Sequence, residues 1–261
     1  MDETEKTGLT TQGRVRIVSL DVDLCSATSI ADKVEKMVLE RQGGYICFST
    51  VHMVMEGFDD PEFAILVNSA NLVIPDGMPL VWMQKLLGHK QAERTRANDM
   101  MTRLCEVAAS KGWSVGFYGA SEDVISGILD RLSTEFPSLT VSYAFSPPFR
   151  PPTSNEEAKI IQEIESARPA LLFVGLGCPK QERWMSRNAQ RLSCVMFGVG
   201  ASFDFFAGNV KEAPRWLSRI GLEWLFRLWK EPKRLWRRYL IQNPRFVFQA
   251  FLQIVGAKKQ P

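Results

Sequence analysis

The segment Leu72-Val73-Ile74-Pro75-Asp76-Gly77-Met78-Pro79 runs an apolar stretch directly into a Pro-Asp-Gly turn, setting one carboxylate, Asp76, at the carboxyl end of a strand. A carboxylate in that position can serve as a general base. It can equally cap the helix opening near Pro79, and local sequence leaves both roles open. Two glycine turns follow: Gly175-Leu176-Gly177-Cys178-Pro179-Lys180-Gln181-Glu182, and Gly198-Val199-Gly200-Ala201-Ser202-Phe203-Asp204 with Gly208 close behind. Each reads as strand, turn and helix, where backbone N–H groups can approach a phosphate or a sugar. Neither is a dinucleotide fingerprint, since GxGxxG would need glycine at Lys180. Tight turns and close packing are the competing readings. Near the carboxyl end, Arg227, Arg234, Arg237 and Arg238 fall within twelve positions. At helical spacing Arg227, Arg234 and Arg238 share a face, and their paired donors match the oxygens of a diphosphate.

Other chemistries find less support. Asp21-Val22-Asp23 has the DxD form that holds a divalent cation through oxygen ligands, but it follows the first strand before any glycine turn, where solvated loop carboxylates are expected. His52 and His89 are the only histidines and lie far apart, which argues against a histidine zinc site. No GxSxG elbow, Walker A sequence or HExxH occurs. The reading therefore expects no metal and no cofactor.

The elements that must hold these residues alternate regularly. Strands are predicted at Val15–Leu20, Tyr45–Ser49, Leu72–Pro75, Ser114–Tyr118, Thr140–Tyr143, Leu171–Val174 and Cys194–Phe197. Helices are predicted from Ser29, with Asp32 at capping-box spacing, to Gly43-Gly44, and over Pro61–Ser69, Pro79–Leu87, Asn98–Lys111, Ser121–Phe136, Asn155–Ala167 and Gln181–Asn188. Continuous apolar strands between helices point to an α/β fold with a mainly parallel, helix-covered, Rossmann-like sheet, whose ligands sit beyond the carboxyl strand ends.

After Gly208 the character changes. Helical segments begin near Pro214, Pro232 and Pro244, and four of the seven tryptophans (Trp216, Trp224, Trp229, Trp236) lie here. Residues 209–261 carry twelve Lys and Arg against three acidic residues, +9, which leaves −6 on the preceding residues of a chain of net charge +3. Such asymmetry implies an anionic partner for the basic part: phosphate, membrane surface or nucleic acid. The apolar run from Phe246 to Val255, followed by Lys258 and Lys259, is too short to cross a bilayer but suits its interface. A docked helix with solvated charges is the plainer reading, and no nucleic-acid-binding module is recognisable. The division expected is therefore a polar leader (1–14), an α/β domain (15–208) and a basic, aromatic helical appendage (209–261).

Of the 261 residues, 45% are hydrophobic and 23% charged, which excludes disordered and collagenous classes. Five scattered cysteines without CxxC spacing argue against a disulfide framework and for a reducing compartment. Neither a signal peptide nor a membrane-spanning run is predicted.

Taken in order, Pro75-Asp76-Gly77-Met78-Pro79, Glu93-Arg94 ahead of Asp99, Phe117-Tyr118-Gly119, the turn from Gly175 to Glu182, Gly198-Val199-Gly200, Phe203-Asp204 with Gly208, and Gly221-Leu222-Glu223-Trp224 with Glu231-Pro232 resemble the WecG/TagA/CpsF family of bacterial glycosyltransferases. The resemblance spans about Val15 to Tyr239. It implies an inverting, metal-independent enzyme that moves a sugar from a nucleotide donor, often UDP-N-acetylmannosamine, to a polyprenyl-diphosphate-linked acceptor for surface polysaccharide, teichoic acid or exopolysaccharide synthesis. It assigns the base to Asp76 and substrate contacts to Arg94, Gln181, Arg227, Arg234 and Arg237. Nucleotide contacts fall to Gly119, Gly175, Gly177, Gly198, Gly200 and Asp204. It further implies an appendage that closes over the site and docks on the inner leaflet, a cytoplasmic, peripheral location, a possible homo-oligomer, and no nucleic-acid partner. The family's Thr-x-Asn falls on Phe48-Ser49-Thr50, so Thr50 offers one hydroxyl where an amide is usual, with His52 nearby as a further polar group. The glycine often found before Asp99 is displaced by Ala97-Asn98, and Glu212 replaces the arginine usual before Ala213-Pro214. The Pro147-Pro148-Phe149 loop and long tail resemble the exopolysaccharide branch, for which the resemblance allows a glucose donor. A non-catalytic nucleotide-sugar-binding protein is the alternative.

Overall fold

The computed structural model describes residues 13–257, so most of the expected leader and Lys258 and Lys259 lie outside the described residues. Strands β1 (Arg14–Ile17) and β2 (Leu20–Asp23) form an antiparallel hairpin. They precede α1 (Ala27–Leu39), β3 (Gly44–Ser49), α2 (Val51–Asp59), α3 (Pro61–Asn68), β4 (Leu72–Pro75), α4 (Met78–Leu86) and α5 (Ala97–Lys111). Next come β5 (Ser114–Gly119), α6 (Glu122–Glu135), β6 (Thr140–Phe145), α7 (Ser154–Ala167), β7 (Leu171–Gly175), α8 (Lys180–Asn188), β8 (Val195–Gly198) and α9 (Ser202–Phe206). The remainder is helical: α10 (Arg215–Arg219), α11 (Glu223–Lys230), α12 (Pro232–Trp236), a π-helical turn (Arg237–Ile241) and α13 (Gln242–Ala257).

Six strands form one parallel sheet in the order β4-β3-β8-β7-β5-β6. Its central strands alternate side chains between two cores, as a strand covered on both faces must. Cys47, Leu172, Val174 and Met196 face the layer of α2, α3, α4, α7, α8 and α13, whereas Ile46, Phe48, Phe173 and Phe197 face α1, α5, α6 and α9. On the latter face Phe117, Phe173 and Phe197 stack across three adjacent strands with centroids 5.4 and 5.3 Å apart.

Four expectations are corrected. The single strand expected at Val15–Leu20 turns back on itself at Val18 and Ser19, with Val18 at φ +56°, a conformation its β-branched side chain does not advertise. The first helix is capped by Ser26 in a reciprocal capping box with Ser29, so it begins earlier than Ser29. Helix α2 was not predicted: Val51, Met53, Val54, Met55 and Gly57 are buried, while His52, Glu56 and Asp59 recur at i, i+4 and i+7 as a narrow polar stripe that the sequence reading passed over. The DxD carboxylates are not both solvated. Asp23 is buried, accepts the Val73 N–H at 2.6 Å and pairs with Arg14 at 3.1 Å, tying the hairpin to β4.

The appendage helices rest on the α/β body. Phe246 and Ala250 of α13 are buried in the core that contains α2. Arg245 makes a paired contact with Asp59 at 2.5 and 2.9 Å, and Gln253 reaches the hairpin, accepting from Val18 N–H and donating to the Arg16 carbonyl. Among the described residues no helix is long and apolar enough to cross a membrane.

Helix α8 buries a carboxylate. Glu182 Oε1 accepts from the Gln181 amide at 2.7 Å, and Oε2 has no hydrogen-bond partner among the described residues. Burial pushes this carboxyl up from the ordinary 4.5 to about 7, with the Gln181 amide pulling the other way. Between those two values the unfolded chain ionises while the native chain stays protonated, so native stability falls as pH rises through that window. Glu182→Gln keeps an acceptor for Gln181 and should flatten a loss on the order of 3 kcal/mol between pH 5 and 8, read from urea midpoints.

Candidate active site

The polypeptide leaves β3 towards one face of the sheet, into α2, and leaves the adjacent β8 towards the other, into α9. Between those two carboxyl ends a crevice must open. It holds a cleft of about 780 Å³ lined by Thr50, Asp76, Gly175, Gly177, Gln181, Gly198, Gly200 and Asp204, and roofed by Arg227, Arg234, Arg237 and Arg238. A second cavity of about 520 Å³, walled mainly by apolar side chains of α4 and α13, meets it at Thr50, His52, Asp76, Glu223, Arg227 and Arg238. Asp76 therefore faces both.

The Pro-Asp-Gly turn is anchored by the Asp76 and Gly77 N–H groups, which donate to the Ser49 carbonyl at 2.9 and 3.1 Å. Gly77 is the residue that precedes α4, and no side chain caps that helix, so Asp76 is not its cap. Arg94 grips the turn instead. Its Nε donates to the Asp76 backbone carbonyl, and Nη2 lies 3.4 Å from Asp76 Oδ1 and 2.9 Å from Glu223 Oε2. Ser218 Oγ donates to the same Glu223 oxygen at 3.0 Å. One guanidinium thus joins a carboxylate of the sheet to a carboxylate of the appendage. Burial raises the Asp76 carboxyl above its ordinary range. Arg94 pulls it down, Glu223 pushes it up, and Arg96 and Arg227 pull it down again. Glu223 is itself buried, which disfavours its charge, yet Arg94 and Arg96 hold it below the usual range.

The other sequence-expected residues converge with two exceptions. Thr50 Oγ1 accepts from Arg238 at 3.5 Å. His52 Nδ1 lies 2.7 Å from Gln242 Oε1, which assigns the ring proton to that nitrogen, and burial beside Arg238 lowers its pKa. Gln181 touches the cleft, but both ends of its amide are engaged internally: Oε1 accepts from Gly177 N–H at 3.1 Å and Nε2 donates to Glu182. It therefore fixes the glycine turn, where Gly177 at φ +78° takes a conformation other residues rarely adopt. Burial raises the Asp204 carboxyl, with Arg234 the first cation opposing it. Arg94 lines only the apolar cavity. Gly119 lies outside the lining altogether; a side chain there would strike the Gly175 backbone, so its glycine serves strand packing.

Two residues were not singled out for the site, Glu223 and Arg96; Arg238 was read on the diphosphate-matching face with Arg227 and Arg234 but is not among the contacts the resemblance assigns. Arg96 pairs with Glu212 at 2.9 Å and stands 3.9 Å from Glu223. Arg238 is deeply set at the meeting of the two cavities, where burial lowers its pKa, whereas Arg237 is exposed and Arg234 pairs with Glu231 at 2.5 Å. The signal for Arg238 was present in its helical phase with Arg227 and Arg234. The appendage breaks at Glu231 and again in the π-helical turn, so the shared face arises from three elements and not one helix.

The curated relatives include a protein of Bacillus subtilis (strain 168), 33% identical over 217 residues and covering 82% of each chain. Another, from Bacillus spizizenii, is 31% identical over 233 residues and 88% of each chain. A third, from Staphylococcus aureus (strain MW2), is 26% identical over 86% of this chain and 87% of the relative. All three bear the name N-acetylglucosaminyldiphosphoundecaprenol N-acetyl-beta-D-mannosaminyltransferase. The sequence profile of the glycosyl transferase WecG/TagA/CpsF family matches residues 15–260, nearly the whole chain. The chain with this cleft belongs to that family of glycosyltransferases.

Proposed function

We propose that the protein transfers a sugar from a nucleotide donor to a polyprenyl-diphosphate-linked acceptor sugar in one inverting displacement, with Asp76 as base. The observation that carries this reading is the position of Asp76 where a polar cleft and an apolar cavity meet. The acceptor hydroxyl gives its proton to Asp76 as its oxygen attacks the donor's anomeric carbon, and the nucleoside diphosphate departs towards the roof arginines. Glycine turns and Asp204 hold the nucleotide; Arg234 and Arg237, which line the polar cleft alone, supply the positive charge that the departing diphosphate requires. The names of the relatives favour N-acetylmannosamine as the sugar transferred and an N-acetylglucosaminyl-diphosphoundecaprenol acceptor, and the family resemblance favours UDP as its carrier.

A lipid-borne acceptor brings the enzyme to a surface. Trp216, Trp229, Trp236, Leu240, Phe248 and Phe251 are exposed on the basic appendage, with Lys230 and Lys233 among them. Apolar rings beside cations suit the headgroup region of an anionic inner leaflet, to which we assign this face.

Asp76→Asn should bind the donor with unchanged affinity by calorimetry yet lose ~10²–10⁴ in turnover, read by product mass; unchanged turnover would reject the base assignment. Glu223→Gln removes a negative charge facing Asp76 and releases Arg94 to it. Both effects lower the Asp76 pKa, so the acidic limb of the kcat/KM profile should move to lower pH by on the order of one unit. A metal-independent reaction should also keep its rate in excess chelator; loss of activity restored by a divalent cation would overturn that part of the reading.

A further inference from the structure

The apolar cavity has no role in donor binding, and its shape suggests one. Its inner end is the neck formed by Asp76, Arg227 and Arg238. From there it runs between α4, which contributes Met83, Trp82 and Leu86, and α13, which contributes Phe246, Val247 and Phe251. Met83 and Phe246 are buried at its floor, whereas Trp82, Leu86, Val247 and Phe251 are 44 to 65% exposed at its outer rim. The groove is assembled from both parts of the chain. It is completed by Gly221, at φ +74°, whose missing side chain lets the appendage backbone lie against the Trp82 ring.

We propose that this groove binds the first isoprene units of the acceptor's polyprenyl chain, so that the enzyme reads the lipid directly and not only the sugar. The inference rests on the reaction proposed above and assigns a ligand segment to a surface that the chemistry leaves unused. Three features select this occupant. The neck carries cations, which suit the diphosphate that precedes the chain, and Nε of both Arg227 and Arg238 lacks a hydrogen-bond partner among the described residues. The walls beyond the neck are apolar, as an isoprene requires. Val247 and Phe251 of the rim also line a shallow apolar surface with Leu240 and Phe248, part of the face assigned to the membrane, so a chain leaving the groove passes into lipid without crossing water. In this arrangement the acceptor's sugar, diphosphate and chain occupy cleft, neck and groove in that order, which sets the hydroxyl at Asp76.

The test uses the full-length protein with N-acetylglucosaminyl diphosphate acceptors bearing either a methyl group or a fifteen-carbon farnesyl chain. Both are assayed below micelle-forming concentrations and without vesicles, so that tethering to a bilayer contributes nothing. The wild type should show kcat/KM at least tenfold higher for the farnesyl acceptor, chiefly through KM. Val247→Glu and Leu86→Glu place a carboxylate on opposite walls at exposed positions that tolerate charge, and each should bring the ratio of the two kcat/KM values towards one. A donor titration and a thermal melt establish that each variant is folded. Equal kcat/KM for both acceptors in the wild type, or a ratio that survives both substitutions in folded protein, overturns the groove assignment while leaving the transfer reaction intact. Absence of transfer to either acceptor by the wild type overturns the reaction, and the groove assignment with it.

Discussion

The Arg94 guanidinium, held between Asp76 and Glu223, is the contact on which the arrangement turns. It binds the carboxyl end of β4 through the Asp76 carbonyl and carboxylate, and it binds the appendage through Glu223 at 2.9 Å. One cation between two carboxylates leaves a negative residue in a half-buried place, where charge interactions are several times stronger than in water. Arg96 shares that load, reaching Glu223 at 3.9 Å while pairing with Glu212 at 2.9 Å. The consequence is mechanistic. With the appendage in place, Asp76 competes with Glu223 for its counter-ion and is a stronger base than a carboxylate that owns an arginine outright. In the proposed reaction, the contact that holds the appendage in place is therefore also the one that raises the basicity of Asp76.

The same contact explains why the fold must be two-sided. A sheet whose adjacent strands β3 and β8 send their connections to opposite faces makes a crevice for one substrate. Helices α11 and α13 wall the apolar cavity beside that crevice, where the proposed lipid-borne acceptor would lie, and they stay attached through Arg94, the paired Arg245–Asp59 contact and the reach of Gln253 into the β1–β2 hairpin. Beside these polar attachments, Phe246 and Ala250 continue the core that contains α2, so α13 is held by apolar burial as well.

Much of this was legible in the chain. Five of the six strands of the large sheet announce themselves as apolar runs because both faces are covered, whereas the edge strand β6 is only partly buried, and glycine turns mark where several of them end. What escaped did so for identifiable reasons. The hairpin turn at Val18 uses a positive φ on a β-branched residue, contrary to every local preference. Helix α2 spans only nine residues directly after β3, and its polar stripe of His52, Glu56 and Asp59 is too short to stand out from the apolar run before it. The role of Glu223 depends on a partner 129 positions away, Arg94, and no spacing rule reaches across such a distance, whereas the helical phase of Arg238 with Arg227 and Arg234 was legible locally. Gln181 and Gly119 were expected to touch ligand, yet their side-chain chemistry, or lack of it, is used on Gly177, Glu182 and the Gly175 backbone. Short-range pattern reveals where a site can form; it does not reveal which polar atoms the fold has already consumed.

That distinction bears on the roof arginines. A buried cation without a matching anion is costly, and folded proteins normally pair it or expel it. Arg234 follows the rule with Glu231, and Arg245 follows it with Asp59. Arg238 does not: its burial disfavours its own charge, its nearest polar contact is the neutral Thr50 hydroxyl at 3.5 Å, and Arg227 beside it adds repulsion. Their ring contacts, Arg227 over Phe205 and Arg238 over Tyr239, offset only part of that cost. Arg227 is offset by Asp76 and Asp204, whose carboxyls it pulls down, so Arg238 is the less compensated cation of the neck. In the proposed reaction the arriving diphosphate supplies the anion that Arg238 lacks, and polar cleft, cationic neck and apolar groove then follow the order of the proposed acceptor's own parts.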